Sequence, residues 1–266
     1  MSFINVNGMK IHYEIKGTGP KILFIHGIGA DLKNPISLFD SPLSKLFTIL
    51  AFDPRGLGES DSSILPGSIA EMADDAAGLA TALGWDQYHV FGASMGGMVA
   101  QELVLRYPDK VQKLILGVTH AGGKNAPQIQ MENLYDLSTA EMLRLSNTRQ
   151  DEAWMAANPE QVKLAEQNFQ MAKEAMQSNP QLLRGYNNQA QAVAKHDTFD
   201  RLGRIVSPTL VFAGHYDGGC PYEFVQAMAR QIPDARFELL ESGHGDWFFD
   251  PKVWEMIIGF LQAKSL

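Results

Sequence analysis

Five short apolar runs constrain this chain more than anything else in it: Ile22 to Ile25, Phe47 to Phe52, His89 to Phe91, Leu114 to Val118 and Thr209 to Ala213. Each is short and apolar at nearly every position, so it reads as a strand buried on both faces. Helix-patterned stretches separate them, and that alternation is the mark of a mostly parallel sheet covered by helices on both sides. Two earlier segments, Phe3 to Val6 and Lys10 to Ile15, alternate instead and flank Asn7-Gly8, which predicts a tight hairpin and an antiparallel edge. Arg236 to Leu240 supplies a last strand.

The helices fall between these runs. Ser68-Ile69-Ala70-Glu71 has the form of a capping box, and the helix it opens runs to Leu83 and stops at Gly84. Met95 to Tyr107 is a second, ended by Pro108, and Tyr222 to Gln231 and Pro251 to Ala263 are two more. From about 121 to 204 the character changes to Gln, Asn, Met, Ala and Glu without a strand, with a second capping box at Ser138-Thr139-Ala140-Glu141. Pro159 to Gln177 and Pro180 to Lys195 read as longer helices. We therefore divide the chain into an α/β core, 1–120 and 205–266, and an inserted helical cap or lid, 121–204.

The 266 residues suffice for one large domain carrying a small subdomain. With 22 Lys and Arg against 30 Asp and Glu, the formal charge of −8 opposes binding to nucleic acid or anionic membranes. A small-molecule substrate is the simpler expectation; oligomeric state is not readable. Residues 1–8 lack the pattern of a leader, and no apolar run approaches the roughly 20 residues that span a bilayer. The single cysteine, Cys220, rules out an intrachain disulfide and fits a reducing, cytoplasmic setting. No nearby motif activates it, so it is read as a pocket-lining residue at most.

The strongest chemical signal is Gly92-Ala93-Ser94-Met95-Gly96, directly after one apolar run and directly before a helix. A strand-to-helix turn of this form is a nucleophile elbow: it strains the central residue, lifts its hydroxyl above the sheet, and needs glycines where neighbouring chains pass too close for a Cβ. A serine hydroxyl reacts only if a base takes its proton. Of the seven histidines, His244 fits best, in the flexible turn Glu241-Ser242-Gly243-His244-Gly245 after the last strand. His12, His89, His120 and His196 read as structural or surface residues, and His215 lies beside the position of the acid. The acid that orients the imidazole is assigned to Asp217, just past the Thr209 strand, which gives the order Ser, Asp, His; Asp246 is the second choice. Two N–H groups must meet the developing oxyanion, and Met95 and Ile28, the latter in His26-Gly27-Ile28-Gly29, are the candidates. His26 itself is read as structural, its ring bonded within that loop.

Taken together, His26-Gly27, Asp53 to Ser60, Gly92 to Gly97, Pro208-Thr209-Leu210, Gly214 to Asp217 and Gly243-His244 occur in the order of the α/β-hydrolase superfamily, which the chain resembles over nearly its whole length. The resemblance implies an eight-stranded sheet, a helical cap, a triad of Ser94, Asp217 and His244, and Asp53 and Arg55 fixing a turn beneath the site. Ser94 to Met98 and the segment His196 to Leu202 are similar to 3-oxoadipate enol-lactonases and related small esterases, while Trp247-Phe248-Phe249 departs from that pattern. The expectation is a carboxylic ester or lactone hydrolase that works through an acyl-enzyme, with no metal or organic cofactor. Carbon–carbon bond hydrolysis and cofactor-free perhydrolysis by the same triad stay open, as does a ligand-binding signalling protein on this scaffold.

Overall fold

Asn7 and Gly8 both take positive φ, 50° and 78°, the backbone of a tight hairpin, and they join β1 (Ser2–Val6) to β2 (Met9–Lys16) in register Val6 to Met9. This is a computed structural model, and the described residues are 2–34, 37–62, 67–127, 129 and 131–263. The remaining positions, some of which fall inside the core and cap ranges drawn above, lie outside them. β2 pairs antiparallel with β4 (Thr48–Phe52), and from there the sheet is parallel. β3 (Lys21–Ile25), β5 (Tyr88–Ala93), β6 (Val111–Gly117), β7 (Thr209–Gly214) and β8 (Ala235–Leu240) complete eight strands in the order β1-β2-β4-β3-β5-β6-β7-β8. The doubly buried strands are the five apolar runs, and every residue of β7 is buried.

Helices cover both faces. α1 (Ile69–Ala82), α2 (Met95–Arg106) and α7 (Tyr222–Ala229) pack on one side in a core that includes Leu23, Val90, Leu103, Leu116 and Val225. α8 (Pro251–Gln262) covers the other face over Ile22, Phe91, Ile115 and Phe212. The α1 capping box is present, with Ser68 Oγ accepting from the Glu71 N–H and the Glu71 carboxylate accepting from the Ser68 N–H. Among the described residues four α-helices lie between β6 and β7: α3 (Thr139–Ser146), α4 (Glu152–Ala157), α5 (Pro159–Ser178) and α6 (Pro180–Ala194). They are thinly buried, and their small apolar centre of Met176, Tyr186 and Ala190 packs against Ile28 in the loop after β3. Among the described residues no helix is long and apolar enough to cross a membrane.

This topology decides where chemistry can occur. The chain leaves β3 toward β4 and then returns to place β5 on the opposite side of β3, so the loops after β3 and β5 diverge and leave a crevice at the strands' carboxyl ends. The loops after β7 and β8 open at the same edge of the sheet.

Candidate active site

Ser94 sits in the turn from β5 to α2 with φ 54° and ψ −126°, a region that costs a non-glycine residue on the order of 1–3 kcal/mol. The turn is that tight because the chain passes within contact of its neighbours. A Cβ at Gly92 would stand 2.2 Å from the Gly96 carbonyl oxygen, and one at Gly96 would stand 2.0 Å from that of Ile25. Two backbone hydrogen bonds hold the strained residue: its N–H donates to Gly117 O at 3.0 Å and its carbonyl accepts from the Gly97 N–H at 2.9 Å.

Against this hydroxyl the fold brings two loops far apart in sequence. His244 Nε2 lies 3.1 Å from Ser94 Oγ, and Nδ1 lies 2.8 Å from Asp217 Oδ2. A carboxylate only accepts, so Nδ1 carries the proton and Nε2 is free to accept from the serine. Asp217 is buried, and its other oxygen takes the N–H groups of Gly219 at 2.8 Å and Cys220 at 2.7 Å. Burial works against a charge on His244, but the Asp217 carboxylate and its hydrogen bond outweigh it and hold the imidazole well above its ordinary 6.5.

The other candidates find different places. Asp246 is turned away from the His244 ring: it accepts from the Gly243 N–H and, at 3.0 Å, from Asn147 Nδ2. Asp53 buckles the turn after β4, with Oδ1 accepting from the Leu32 N–H and Oδ2 from the Glu59 N–H and the His12 ring. Arg55 pairs with Asp75 on α1. His26 departs from the sequence expectation: among the described residues its ring makes no hydrogen bond in its loop and its buried Nε2 has no partner, and the ring stands edge-on to Phe24 at 4.8 Å. Burial pushes it down to about 4. His196, read as a structural or surface residue, is buried, and burial holds it too at about 4.

Ile28 and Met95 both border the cavity above Ser94. The Ile28 N–H has no acceptor among the described residues, and the Met95 N–H heads α2, where a helix leaves its first donors unpaired. The positive end of the α2 dipole points at the same spot. The cavity, about 900 Å³, is bounded by the loops after β3, β5, β6, β7 and β8 and by Met131, Leu134, Met142, Leu145, Val193 and Ala194 of the insertion. Cys220 is closer to the chemistry than its sequence context suggests: its sulfur and a donor atom of each of Asp217 and His244 lie within 4.8 Å of one another. These are the described residues that could ligate a soft cation, but the carboxylate and imidazole are already bonded to each other.

Sequence reasoning misses the segment that holds these loops. Just at and after the end of α3, Leu145 O accepts from the Gly219 N–H at 3.0 Å and Ser146 O from the His244 N–H at 2.6 Å, while the Thr148 N–H donates to Tyr216 O at 2.7 Å. Asn147 grips Asp246, and the Arg149 guanidinium lies over the Tyr216 ring at 4.1 Å. The only local signal was the capping box that starts α3.

An eight-stranded, mostly parallel sheet with a strained serine at the β5–α2 turn, an aspartate after β7 and a histidine after β8 defines the α/β-hydrolase class of architecture. The chain belongs to that family: residues 20–252 match its model, described as the alpha/beta hydrolase fold. Membership places it among hydrolytic enzymes. It is 29% identical over 271 residues to RutD of Azorhizobium caulinodans, named for carbamate hydrolysis, with 98% of each chain covered. Among solved structures it is similar to the enol-lactonase from Burkholderia xenovorans LB400, with a TM-score of 0.78, 23% identity and coverage of 98% of this chain and 100% of that one. It is also similar to a thermophilic esterase from Thermogutta terrifontis, with a TM-score of 0.73, 27% identity and 98% of each chain covered.

Proposed function

We propose that the protein is a serine hydrolase that opens a carboxylic ester or lactone of a small molecule through an acyl-enzyme. The observation that carries this reading is the continuous hydrogen-bond chain from Asp217 through His244 to Ser94 at the floor of the cavity, at 2.8 and 3.1 Å. Ser94 Oγ attacks the acyl carbon while His244 Nε2 takes its proton, and the negative oxygen that forms is met by the N–H groups of Ile28 and Met95. The tetrahedral intermediate then breaks its bond to the leaving oxygen, which receives the proton from His244. Water gives a proton to the same nitrogen and its oxygen to the acyl carbon, and the acid departs as Ser94 recovers its hydrogen.

Esters, lactones and carbamates all present an acyl carbon with a heteroatom leaving group, so the names of the esterase and RutD agree with this class of reaction. In the same reading residues 121–204 form a cap that shields the acyl-enzyme, with Met131, Leu134 and Val193 as its inner wall. A cytoplasmic setting goes with it, supported by a lone cysteine that is buried.

The test is covalent labelling. The wild type incubated with a fluorophosphonate probe gains one adduct, mapped to Ser94, and hydrolyses a short p-nitrophenyl ester; Ser94→Ala does neither. A wild type that takes no label and turns over no ester sinks the proposal.

A further inference from the structure

The cavity wall is unusual in its charge. Among the described residues that border it there is no Lys, Arg, Asp or Glu, and the wall is dominated by Met, Leu, Ile, Val, Ala, Phe and Trp side chains. An ionised group on a substrate loses its water on entering such a space, and the cation that the described wall can present, the His244 imidazolium, is already balanced by Asp217 and is not the form that takes the serine proton. A carboxylate is disfavoured further by the buried Asp217, which lies behind His244. The N–H groups of Ile28 and Met95 do not relieve this, because the reacting oxygen occupies them.

One polar side chain of the wall has a use that the proposed mechanism leaves open. His120, at the exit of β6, accepts the Gly122 N–H on Nδ1 at 3.1 Å. Burial pushes this imidazole down to about 4, so it is neutral, and with Nδ1 accepting, its single proton sits on Nε2. That Nε2 has no partner among the described residues, yet it is not among the nitrogens sealed from solvent, as those of His12 and His26 are. Since His120 borders the cavity, its Nε2–H is a fixed, uncharged donor open to the cavity.

Resting on the hydrolase reading above, we infer that the substrate is uncharged and largely apolar, and that it carries a second acceptor oxygen, apart from the scissile carbonyl, which His120 Nε2–H binds. A neutral donor suits a ketone, ether, ester or hydroxyl oxygen, whereas an anion calls for a cationic partner. Losing the donor leaves that oxygen unpaired in an apolar wall, which affects only substrates that have it. His120 is thus a specificity residue rather than part of the proton relay.

Three p-nitrophenyl esters, tested on the wild-type protein, separate the possibilities: butyrate, the mono-succinate of equal chain length with a free carboxylate, and the methyl ester of that succinate. We expect kcat/KM for butyrate to exceed that for the mono-succinate by about 100-fold, and methylation to restore most of the difference. Against p-nitrophenyl hexanoate as the apolar control, the methyl succinate's relative kcat/KM falls about five- to tenfold in His120→Phe, mainly through KM, and is retained in His120→Gln, which keeps a donor. Equal rates on butyrate and mono-succinate overturn the inference even if the His120 variants fail to fold, and an unchanged ratio in folded His120→Phe overturns the role of His120. A wild type labelled at Ser94 that turns over none of the esters overturns the inference and leaves the hydrolase reading standing. Absence of both label and turnover overturns the two together.

Discussion

Ser94 is gripped from below by the backbone of the sheet, whereas the loops of Asp217 and His244 are held from above by a segment of the helical insertion. The serine's neighbours are Gly92, Gly96, Gly117 and the end of β3, all parts of the parallel core packed to the limit of backbone contact. The histidine and aspartate loops instead rest on Leu145, Ser146, Asn147 and Thr148 at the end of α3, through hydrogen bonds and close backbone approach, a Cβ at Gly243 standing 2.1 Å from Ser146 O. One half of the site is therefore held within the sheet, and the other draws also on a short helix at its rim. The insertion thus bonds directly to the site, the end of α3 accepting the main-chain N–H groups of His244 and Gly219.

Breaking the core-held half has the largest effect. In Gly96→Ala the new methyl stands 2.0 Å from Ile25 O and 2.6 Å from His26 O, both backbone atoms that the sheet does not release. We expect no soluble folded protein, or a melting temperature lower by more than 10 °C, read by circular dichroism. Normal stability and activity in this variant would show that the β5–α2 turn is looser than its contacts imply.

Breaking the relay without touching the core comes next. Asp217→Asn preserves shape but turns an acceptor into a mixed donor and acceptor opposite His244 Nδ1, and in the protease triad the same change lowers kcat about 10⁴-fold. The pH profile gives the sign. In the proposed mechanism the base must be neutral, so kcat/KM falls as pH drops through the His244 pKa. Asp217 raises that pKa, so the acid limb lies above 6.5 in the wild type and moves down in the variant. Stability should change far less than in Gly96→Ala, as checked by thermal melting. A limb that stays in place in Asp217→Asn is incompatible with the carboxylate as the group that raises His244.

The same contrast explains what the sequence makes legible. The doubly buried strands and the β5–α2 turn rest on local pattern, and each expected strand meets an observed one with ends shifted by a few residues. The β6 run reads from Leu114 but begins at Val111, because Lys113 breaks the apolar pattern; its side chain is buried and its ammonium donates to the Phe260 and Leu261 carbonyls at the end of α8. Val118 reads as strand but lies beyond it at φ 45°. The serine, aspartate and histidine are legible by order along the chain, whereas the end of α3 is not. Its hydrogen bonds come from main-chain groups, which any residue supplies, and Asn147 to Asp246 is an ordinary polar pair until the fold brings 99 positions of separation together. Cys220 is hidden for the same reason, since nothing before the fold sets its sulfur beside His244.

A smaller test addresses the upper half directly. Asn147→Ala removes the donor to Asp246 and the acceptor for the Arg149 N–H. Two such bonds contribute about 1–3 kcal/mol together. The expected outcome is a kcat lower by about 10-fold with KM nearly unchanged, since a displaced imidazole costs the chemical step and leaves the apolar wall intact. Titration with a fluorophosphonate probe checks it, by showing full labelling at a reduced rate. A purely raised KM would assign Asn147 to the shape of the cavity instead.

The smallest perturbation discriminates best. Ser138 caps α3 through a reciprocal pair, its Oγ accepting from the Glu141 N–H while the Glu141 carboxylate accepts from the Ser138 N–H. Ser138→Ala costs the helix about 1 kcal/mol, too little to unfold the protein and remote from every reacting atom. If α3 holds the upper loops, that loss passes along it to the amides bonded at its far end, Gly219 to Leu145 O and His244 to Ser146 O. Hydrogen exchange at those two amides should then quicken about fivefold, while the Ser94 and Gly97 amides, bonded within the core, keep their protection. Equal acceleration at all four would mean that the two halves open as one unit. Acceleration at none would mean that the loops after β7 and β8 stand without α3, and that its contacts with them are incidental.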